Sequence, residues 1–194
     1  LNADGTLDAS FASDAGGKRI TSVASGEDAL MALVVQPNGS IVAAGACSTG
    51  WVFSNNGVTR FCAVRYLADG TLDSAGFNAG AAPAGRGMLQ IDMGSGYDGA
   101  NAVLRQADGK LLLVGRCNAD QATGTGVICL ARLAGDGSLD ATFGSGGKAL
   151  APAIANQRDL VNAALLQADG KIVAAGSCFR GAPEVFCAAR FEGG

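Results

Sequence analysis

The sequence contains no histidine and has little charge of either sign. Of its 194 residues 16% are charged, and the formal net charge is −3. Without histidine, the Ser-His and Cys-His nucleophile pairs and histidine-liganded metal centres are excluded. The basic residues are few and scattered, whereas a nucleic-acid surface needs clustered Lys and Arg. We therefore expect no nucleic-acid partner.

Long hydrophobic runs are also missing. A membrane-spanning helix needs roughly 18–20 apolar residues, and the longest runs here, such as "ALMALVV" and "LLLVG", have the length of a strand. The chain begins with Leu and shows no signal peptide, so we expect a mature or trimmed product. It is 48% hydrophobic, which excludes the disordered class and suits one domain over residues 1–194.

What the sequence does contain is one unit in three copies, roughly 1–66, 67–133 and 134–194. The copies align at their turn glycines, at two cysteines each, and at an arginine three positions after the second cysteine. These positions are Gly39, Gly109 and Gly170; Cys47, Cys117 and Cys178; Cys62, Cys129 and Cys187; and Arg65, Arg132 and Arg190. The residues between the two cysteines differ from copy to copy.

The pattern of apolar runs and turn residues in each unit predicts β structure. Apolar runs are joined by "PNG" or "ADG", and such Asn-Gly and Asp-Gly pairs indicate hairpins. A further turn, "ADGTLD" or "GDGSLD", leads to a fourth run such as "GKRITSV" or "GKALAPA". Repeated four-stranded antiparallel units are typical of propeller blades. The predicted fold is all-β and β-propeller-like with three such blades; a β-sandwich would not explain the repeat.

The two ends of the chain overlap in sequence. The last copy stops at "ARFEGG", and the chain begins with "LNADGTLD", the continuation seen in the other copies. The N-terminal segment is therefore predicted to supply the outer strand of the last or a neighbouring blade. Three blades fall below the usual range of about four to eight. We expect a homodimer forming a six-bladed ring, with an open polymer or a piece of a longer array as alternatives.

The cysteine pairs recur in register with the repeat. We favour the disulfides Cys47–Cys62, Cys117–Cys129 and Cys178–Cys187 over buried free thiols. Structural zinc would need four close ligands, and redox catalysis a closer pair such as Cys-x-x-Cys. Each bridge would stabilise the fold by about 3 kcal/mol. Disulfides imply an oxidising compartment, so the predicted location is secreted or cell-surface, extracellular or periplasmic.

Three strings carry a resemblance to a known family: "RYLADGTLDSAGF", "RLAGDGSLDATFGSGGK" and "NAALLQADGKIVAAGSC". They resemble the delta-sixty repeat family of bacterial, mostly exported proteins, and the resemblance covers almost the whole chain. It implies a β-propeller-like fold in an exported protein and no defined activity. The cysteine pairs are additions to the family pattern, and the second unit has "GFNAGAAPAGRG" where the pattern has Phe-Gly-x-Gly-Gly-Lys.

The aspartates of the "ADGTLD" turns are candidates for chemistry. The pairs Asp4/Asp8, Asp69/Asp73 and Asp136/Asp140 could bind Ca²⁺ or act as acid and base, but Asp-Gly is also ordinary turn chemistry. The three repeated arginines could line a channel and bind an anion, or form salt bridges with these aspartates. We favour a structural role for Arg65, Arg132, Arg190, Asp8, Asp73 and Asp140. Asn38-Gly39-Ser40 fits a glycosylation sequon but is interpreted as a two-residue turn.

The inter-cysteine loops carry what is individual to this chain. The candidate ligand-binding residues are Trp51, Phe53, Asn55, Asn56, Phe179 and Arg180. Aromatic and amide side chains together suit a sugar or a protein, although Trp51 could instead pack over the disulfide.

The function that we expect is a structural or protein-interaction scaffold that assembles through strand edges, without catalytic residues, cofactor or metal. The alternative is a lectin-like carbohydrate-binding module. A glycoside hydrolase or lyase would need convergent carboxylates.

Overall fold

The computed structural model describes residues 1–12, 15–48, 58–81, 85–94, 96–120, 125–152, 158–179 and 183–193. Its strands are β1 (Asp28–Val35), β2 (Ile41–Ser48), β3 (Thr59–Tyr66), β4 (Met88–Ile91), β5 (Gly99–Arg105), β6 (Leu111–Asp120), β7 (Thr125–Leu133), β8 (Lys148–Leu150), β9 (Arg158–Leu166), β10 (Ile172–Phe179) and β11 (Glu184–Phe191). The predicted all-β class is confirmed. No helix in the described ranges is long and apolar enough to cross a membrane.

The strands form three antiparallel meanders, which we call units 1, 2 and 3. Unit 1 is β1–β4, unit 2 is β5–β8, and unit 3 is β9–β11. We call the first strand of each unit (β1, β5 and β9) the inner strand, and the fourth strand of units 1 and 2 (β4 and β8) the outer strand. One parallel bridge, between Gly126 and Arg158, joins units 2 and 3 into a single sheet. Unit 3 therefore has three strands in the described part of the chain, where the sequence predicted four. The predicted boundaries after residues 66 and 133 fall between the third and fourth strands of units 1 and 2.

The first hairpin of each unit turns through a glycine with positive φ. In unit 1 the amide of Gln36 donates to the carbonyl of Ser40 at 2.8 Å, and the amide of Gly39 donates back to Gln36 at 2.9 Å. Gly39 has φ 82°. This is a three-residue loop with a bulge at glycine, so the predicted two-residue turn was wrong. The Asn38 side chain accepts the Ser40 amide at 3.1 Å and stabilises this turn.

A second glycine in each unit lies two residues before the first cysteine, in the second strand of the unit (β2, β6 or β10). Beside it the neighbouring inner strand has an irregular register, between Leu30 and Ala32 in unit 1 and between Ala100 and Ala102 in unit 2. This brings a backbone carbonyl against Gly45, Gly115 and Gly176, where a Cβ atom would collide with it. The recurring Gly-x-Cys therefore reflects close approach of two backbones.

Apolar clusters hold adjacent units together. One is formed by Phe61, Phe77 and other residues of unit 1 with Val103, Leu111 and Leu133 of unit 2. The other joins the opposite face of unit 2 to unit 3. Each unit thus has a leading face towards the preceding unit and a trailing face towards the following one.

Before β1, the described residues 1–12 and 15–27 pack on unit 1 and include no strand. The amide of Ala12 donates to the Asp69 carbonyl at 2.7 Å, and the Tyr66 hydroxyl donates to Thr21 Oγ1 at 2.8 Å. This segment covers part of the leading face of unit 1.

The substitution Gly115→Ala is expected to lower the free energy of unfolding by about 1–3 kcal/mol, because the new methyl group would be forced against the Gly99 carbonyl. Urea unfolding measures the change. Gly135→Ala is the matched control, since the nearest atom to its Cβ would be 4.0 Å away. Equal stability of both variants would contradict this account of the Gly-x-Cys pattern.

Candidate interaction surface

Three disulfides close the second hairpin of the three units: Cys47–Cys62, Cys117–Cys129 and Cys178–Cys187. Their Cα atoms are 5.9, 6.0 and 5.8 Å apart. The bonded cysteines do not face one another directly. In unit 1, Cys62 pairs with Gly45 and Cys47 pairs with Arg60, so the bridge runs diagonally across the two strands.

Most of the predicted ligand-binding residues lie outside the described part of the chain. These are Trp51, Phe53, Asn55, Asn56 and Arg180. Phe179 ends β10 and is half-buried.

The repeated arginines of units 1 and 2 bind the aspartate of the turn that follows them. Nε of Arg65 donates to Asp73 Oδ2 at 2.7 Å, and Nε of Arg132 donates to Asp140 Oδ2 at 2.8 Å. The guanidinium of Arg65 also lies over the Phe77 ring, 4.9 Å from its centroid. These contacts hold each arginine between its strand and the turn that follows.

The same arginines also reach the next unit. Nη1 of Arg65 donates to the carbonyl of Gly135, and Nη1 of Arg132 donates to the carbonyl of Gly193 at 2.8 Å. Each guanidinium therefore ties its own strand and turn to the turn of the following unit.

The first aspartate of each turn is occupied locally. Asp4, Asp69 and Asp136 each accept the amide and hydroxyl of the residue two positions on, at 2.7–3.0 Å. These hydrogen bonds hold the pKa of all three carboxyls below the usual value. Among the described residues no cluster of three or more His, Cys, Asp or Glu could hold a metal ion.

Arg190 and Asp8 are two halves of the same arrangement that do not meet within this chain. Arg190 is exposed on β11, whereas Arg132, at the equivalent position, is 3% exposed. Asp8 Oδ1 accepts the Ser10 amide and hydroxyl at 2.9 and 2.6 Å, as Asp140 Oδ1 accepts those of Thr142. Asp8 is exposed and forms no ion pair with another described residue.

The two outermost faces carry exposed apolar side chains at positions that are buried between units. Phe61, Ile128 and Phe186 occupy equivalent positions before the second cysteine, and they are 0%, 4% and 100% exposed. On the inner strands Leu33 is 65% exposed, whereas its counterpart Val103 is 5% exposed. Phe61, Ile128 and Val103, which face a neighbouring unit, are thus buried, whereas Phe186 and Leu33 are not.

We define the trailing surface of unit 3 by Leu165, Ala175, Phe186, Ala188 and Arg190, all of which are exposed. Part of it forms a groove of about 550 Å³ beside Phe186 and Ala175. The leading surface of unit 1 is defined by Leu30, Leu33 and Val35, which are also exposed. These two surfaces are the candidate interaction site.

Sequence reasoning missed a third repeated acid, at the start of the inner strand of each unit: Asp28, Asp98 and Asp159. Asp28 accepts the Val23 amide at 2.7 Å, and Asp98 accepts the Met93 amide at 3.0 Å and the Asn118 amide at 3.3 Å. The carboxylates of Asp28 and Asp98 thus join the loop that precedes the inner strand to the start of that strand. Aligning the three copies at their turn glycines would have revealed this position.

Asp98 is buried, and its environment changes the pKa of its carboxyl. Its residue is 2% exposed, and burial raises its pKa to about 6 against the opposing effect of backbone hydrogen bonds. It borders a cavity of about 270 Å³ whose walls come from all three units, including Thr59, Arg116 and Leu160.

Stacked antiparallel meanders of this kind, each packed by its face on the next, define a propeller-like repeat protein. The family model described as domain of unknown function (DUF5122) beta-propeller matches residues 36–75 and 106–143. The matched segments occupy equivalent positions in units 1 and 2. The match supports the propeller-like repeat class, and the finer resemblance to the delta-sixty repeat stays a prediction. No curated protein matches the chain.

The raised pKa of Asp98 predicts that the free energy of unfolding depends on pH. Because its folded pKa lies above the unfolded value, the folded protein binds this proton more tightly, so the contribution of Asp98 to stability is greatest below about pH 4 and falls as the pH rises towards 6. Asp98→Asn should abolish this component, which amounts to at most about 3 kcal/mol. Unfolding of both proteins between pH 3.5 and 7.5 measures it.

The aspartates whose pKa is lowered act in the opposite direction, because their stabilisation is lost as the pH falls below about 4. The difference between wild type and Asp98→Asn isolates the Asp98 contribution. A difference that is constant from pH 4 to 7 would contradict it.

Proposed function

We propose that the chain is an exported, disulfide-stabilised propeller scaffold without enzymatic activity, which acts by binding protein through the trailing surface of unit 3. The partner is a second copy of the chain, bound through the leading surface of its unit 1. One observation carries the proposal above all: Phe186 is fully exposed at a position where Phe61 and Ile128 are buried.

An exposed phenylalanine within an apolar groove is costly in water. Burying a large apolar side chain contributes roughly 1.5–3 kcal/mol, and contiguous exposed apolar surface commonly marks an interaction site. Leu165, at 54% exposure, extends the same surface along β9. The trailing surface therefore has the composition of an interface core rather than of a solvated face.

The leading surface of unit 1 has the matching chemistry. Leu33 occupies the strand position at which Val103 of unit 2 packs on unit 1 and Ala164 of unit 3 packs on unit 2, and Val35 corresponds to Leu166, which also packs on unit 2. A trailing surface packed on a leading surface would repeat the packing that already exists twice within the chain. Such a head-to-tail contact closes into a ring if the rotation per copy permits and otherwise continues as a polymer. Two chains closing a six-bladed ring is the smallest arrangement that we propose.

The disulfides fit the proposed oxidising location, secreted or periplasmic. They close the base of each variable loop, so a loop can change in length without loosening the hairpin that presents it. The scaffold would thereby join copies through its faces and present loops at one end.

Phe186→Asp is expected to weaken association at least about tenfold, because the contact would bury an unpaired charge. Light scattering of the non-reduced protein over a range of concentrations measures the change. Leu150→Asp is the matched control, since Leu150 is an exposed apolar residue on β8, away from both surfaces.

Wild-type protein with a mass of at least two chains, reduced towards one chain in Phe186→Asp but not in Leu150→Asp, supports the proposal. A wild type that stays monomeric throughout the concentration range overturns it.

A further inference from the structure

We infer that Lys18–Ile20 of one copy form, on unit 3 of a second copy, the outer strand that unit 3 lacks among its described residues, and that Asp8 of the same N-terminal segment binds Arg190 there. The inference rests on the proposed function, because it specifies the contact through which the two copies would associate. It assigns a register and an ion pair that can be tested separately from association itself.

The register follows from the outer strands of units 1 and 2. In unit 1, β4 pairs with β3 so that Cys62 faces Gln90 and Ala63 faces Leu89. In unit 2, β8 pairs with β7 so that Cys129 faces Leu150 and Leu130 faces Ala149. Aligned on the glycine that precedes each outer strand, Ile20 corresponds to Gln90 and Leu150. The inferred pairs in unit 3 are Cys187 with Ile20, Ala188 with Arg19, and Ala189 with Lys18.

The glycines before the outer strands agree in backbone conformation as well as in sequence position. Gly87 and Gly147 have φ 77° and 90°, and their carbonyls accept the amides of Arg65 and Arg132 at 3.0 and 2.9 Å. Gly17 has φ 88° in this chain. Its backbone already has the conformation that would offer its carbonyl to the amide of Arg190 in the second copy.

The ion pair follows from the geometry of Asp140. One oxygen of Asp140 accepts the Thr142 amide and hydroxyl, and the other accepts Nε of Arg132. Asp8 uses one oxygen in the same way, with Ser10. Its second oxygen is therefore oriented as the acceptor for Nε of Arg190, and Ala68 would supply the carbonyl that Gly193 supplies to Arg132.

The N-terminal segment is already positioned on unit 1 as an outer strand of a preceding unit would be. Phe77, which follows the turn of unit 1, packs on Gly137 of unit 2, and Phe11 packs in the same way on Gly70 of unit 1. Likewise the amides of Asn78 and Ala12 each donate to the corresponding turn carbonyls at 2.7 Å. Beyond this anchor Ile20 is 89% exposed.

A second copy fits this arrangement, because the segment and β11 lie on opposite outer faces of one chain. The segment is anchored on the leading side of unit 1, and the apolar clusters join unit 1 to unit 2 and unit 2 to unit 3. The strand would thus be completed at the same contact that buries Phe186 against the leading surface.

A charge exchange between two variants tests the pair. Arg190→Glu alone and Asp8→Lys alone each place like charges at the contact, and each is expected to weaken association at least about tenfold. An equimolar mixture should restore the wild-type mass, because the glutamate introduced in the first variant meets the lysine introduced in the second, and the other contact keeps its natural charges. Light scattering and native mass spectrometry of the mixture identify the mixed species.

Asp4→Lys is the matched control: Asp4 is an exposed turn aspartate whose counterparts Asp69 and Asp136 accept hydrogen bonds within their own turns, whereas Asp73 and Asp140 pair with the repeated arginines. It should leave association unchanged. Weakening by both single variants without restoration in the mixture overturns the pairing of Asp8 with Arg190. If neither variant weakens association while Phe186→Asp does, the strand exchange is wrong and the proposed function stands. A monomeric wild type overturns both.

Hydrogen exchange provides a readout of the strand itself. In the associated protein the amides of Arg190 and Asp8 should exchange at least about tenfold more slowly than in the Phe186→Asp monomer, as expected for newly formed backbone hydrogen bonds. Equal exchange in the two proteins contradicts the inferred outer strand.

Discussion

The structure depends on one repeated interaction, the arginine that binds the aspartate of its own turn and the carbonyl of the following unit. Arg132 is 3% exposed, and removing a guanidinium from water is costly unless its donors are satisfied. Asp140, the Gly193 carbonyl and the ring of Phe143, 4.6 Å from Cζ, satisfy it together. Because two of these groups belong to one unit and the carbonyl to the next, the side chain fixes how successive units stack.

Units that are stabilised mainly by their neighbours leave a predictable problem at the ends of the stack. In such repeat proteins each unit buries one face against the preceding unit and one against the following unit. Unit 2 does so on both sides, and its Leu112, Leu113 and Leu130 are fully buried. Unit 3 has large apolar side chains, Phe186 and Leu165, on its trailing face, and no following unit among the described residues covers them. The exposed surfaces are thus a consequence of the repeat itself.

The sequence was most informative where residues recur in register. The cysteine pairs and the arginines could be recognised because three copies place them at equivalent positions, and neighbouring strands then bring them together. The two-residue turn at Asn38-Gly39 was wrong, because an Asn-Gly pair suits several loop lengths and only the pairing of Val35 with Ile41 distinguishes them. Asp98 recurs in register with Asp28 and Asp159 and could have been found by aligning the copies, but its hydrogen bonds with the Met93 and Asn118 amides could not be predicted from the sequence. The exposure of Phe186 could not be predicted, since Phe61 has the same residue type and is buried.

The two ends of the third strand in a unit have different constraints, and this explains where the sequence is free to vary. Cys62 lies near the start of β3 and closes the hairpin covalently, which stabilises it by about 3 kcal/mol in the chain-entropy account. Arg65, three residues on, ties the other end of β3 to its turn and to unit 2. The inter-cysteine loop contributes neither to the disulfide nor to the arginine contacts, so its sequence can diverge without altering the stacking of the units. A scaffold built in this way separates the residues that join units from those available for recognition.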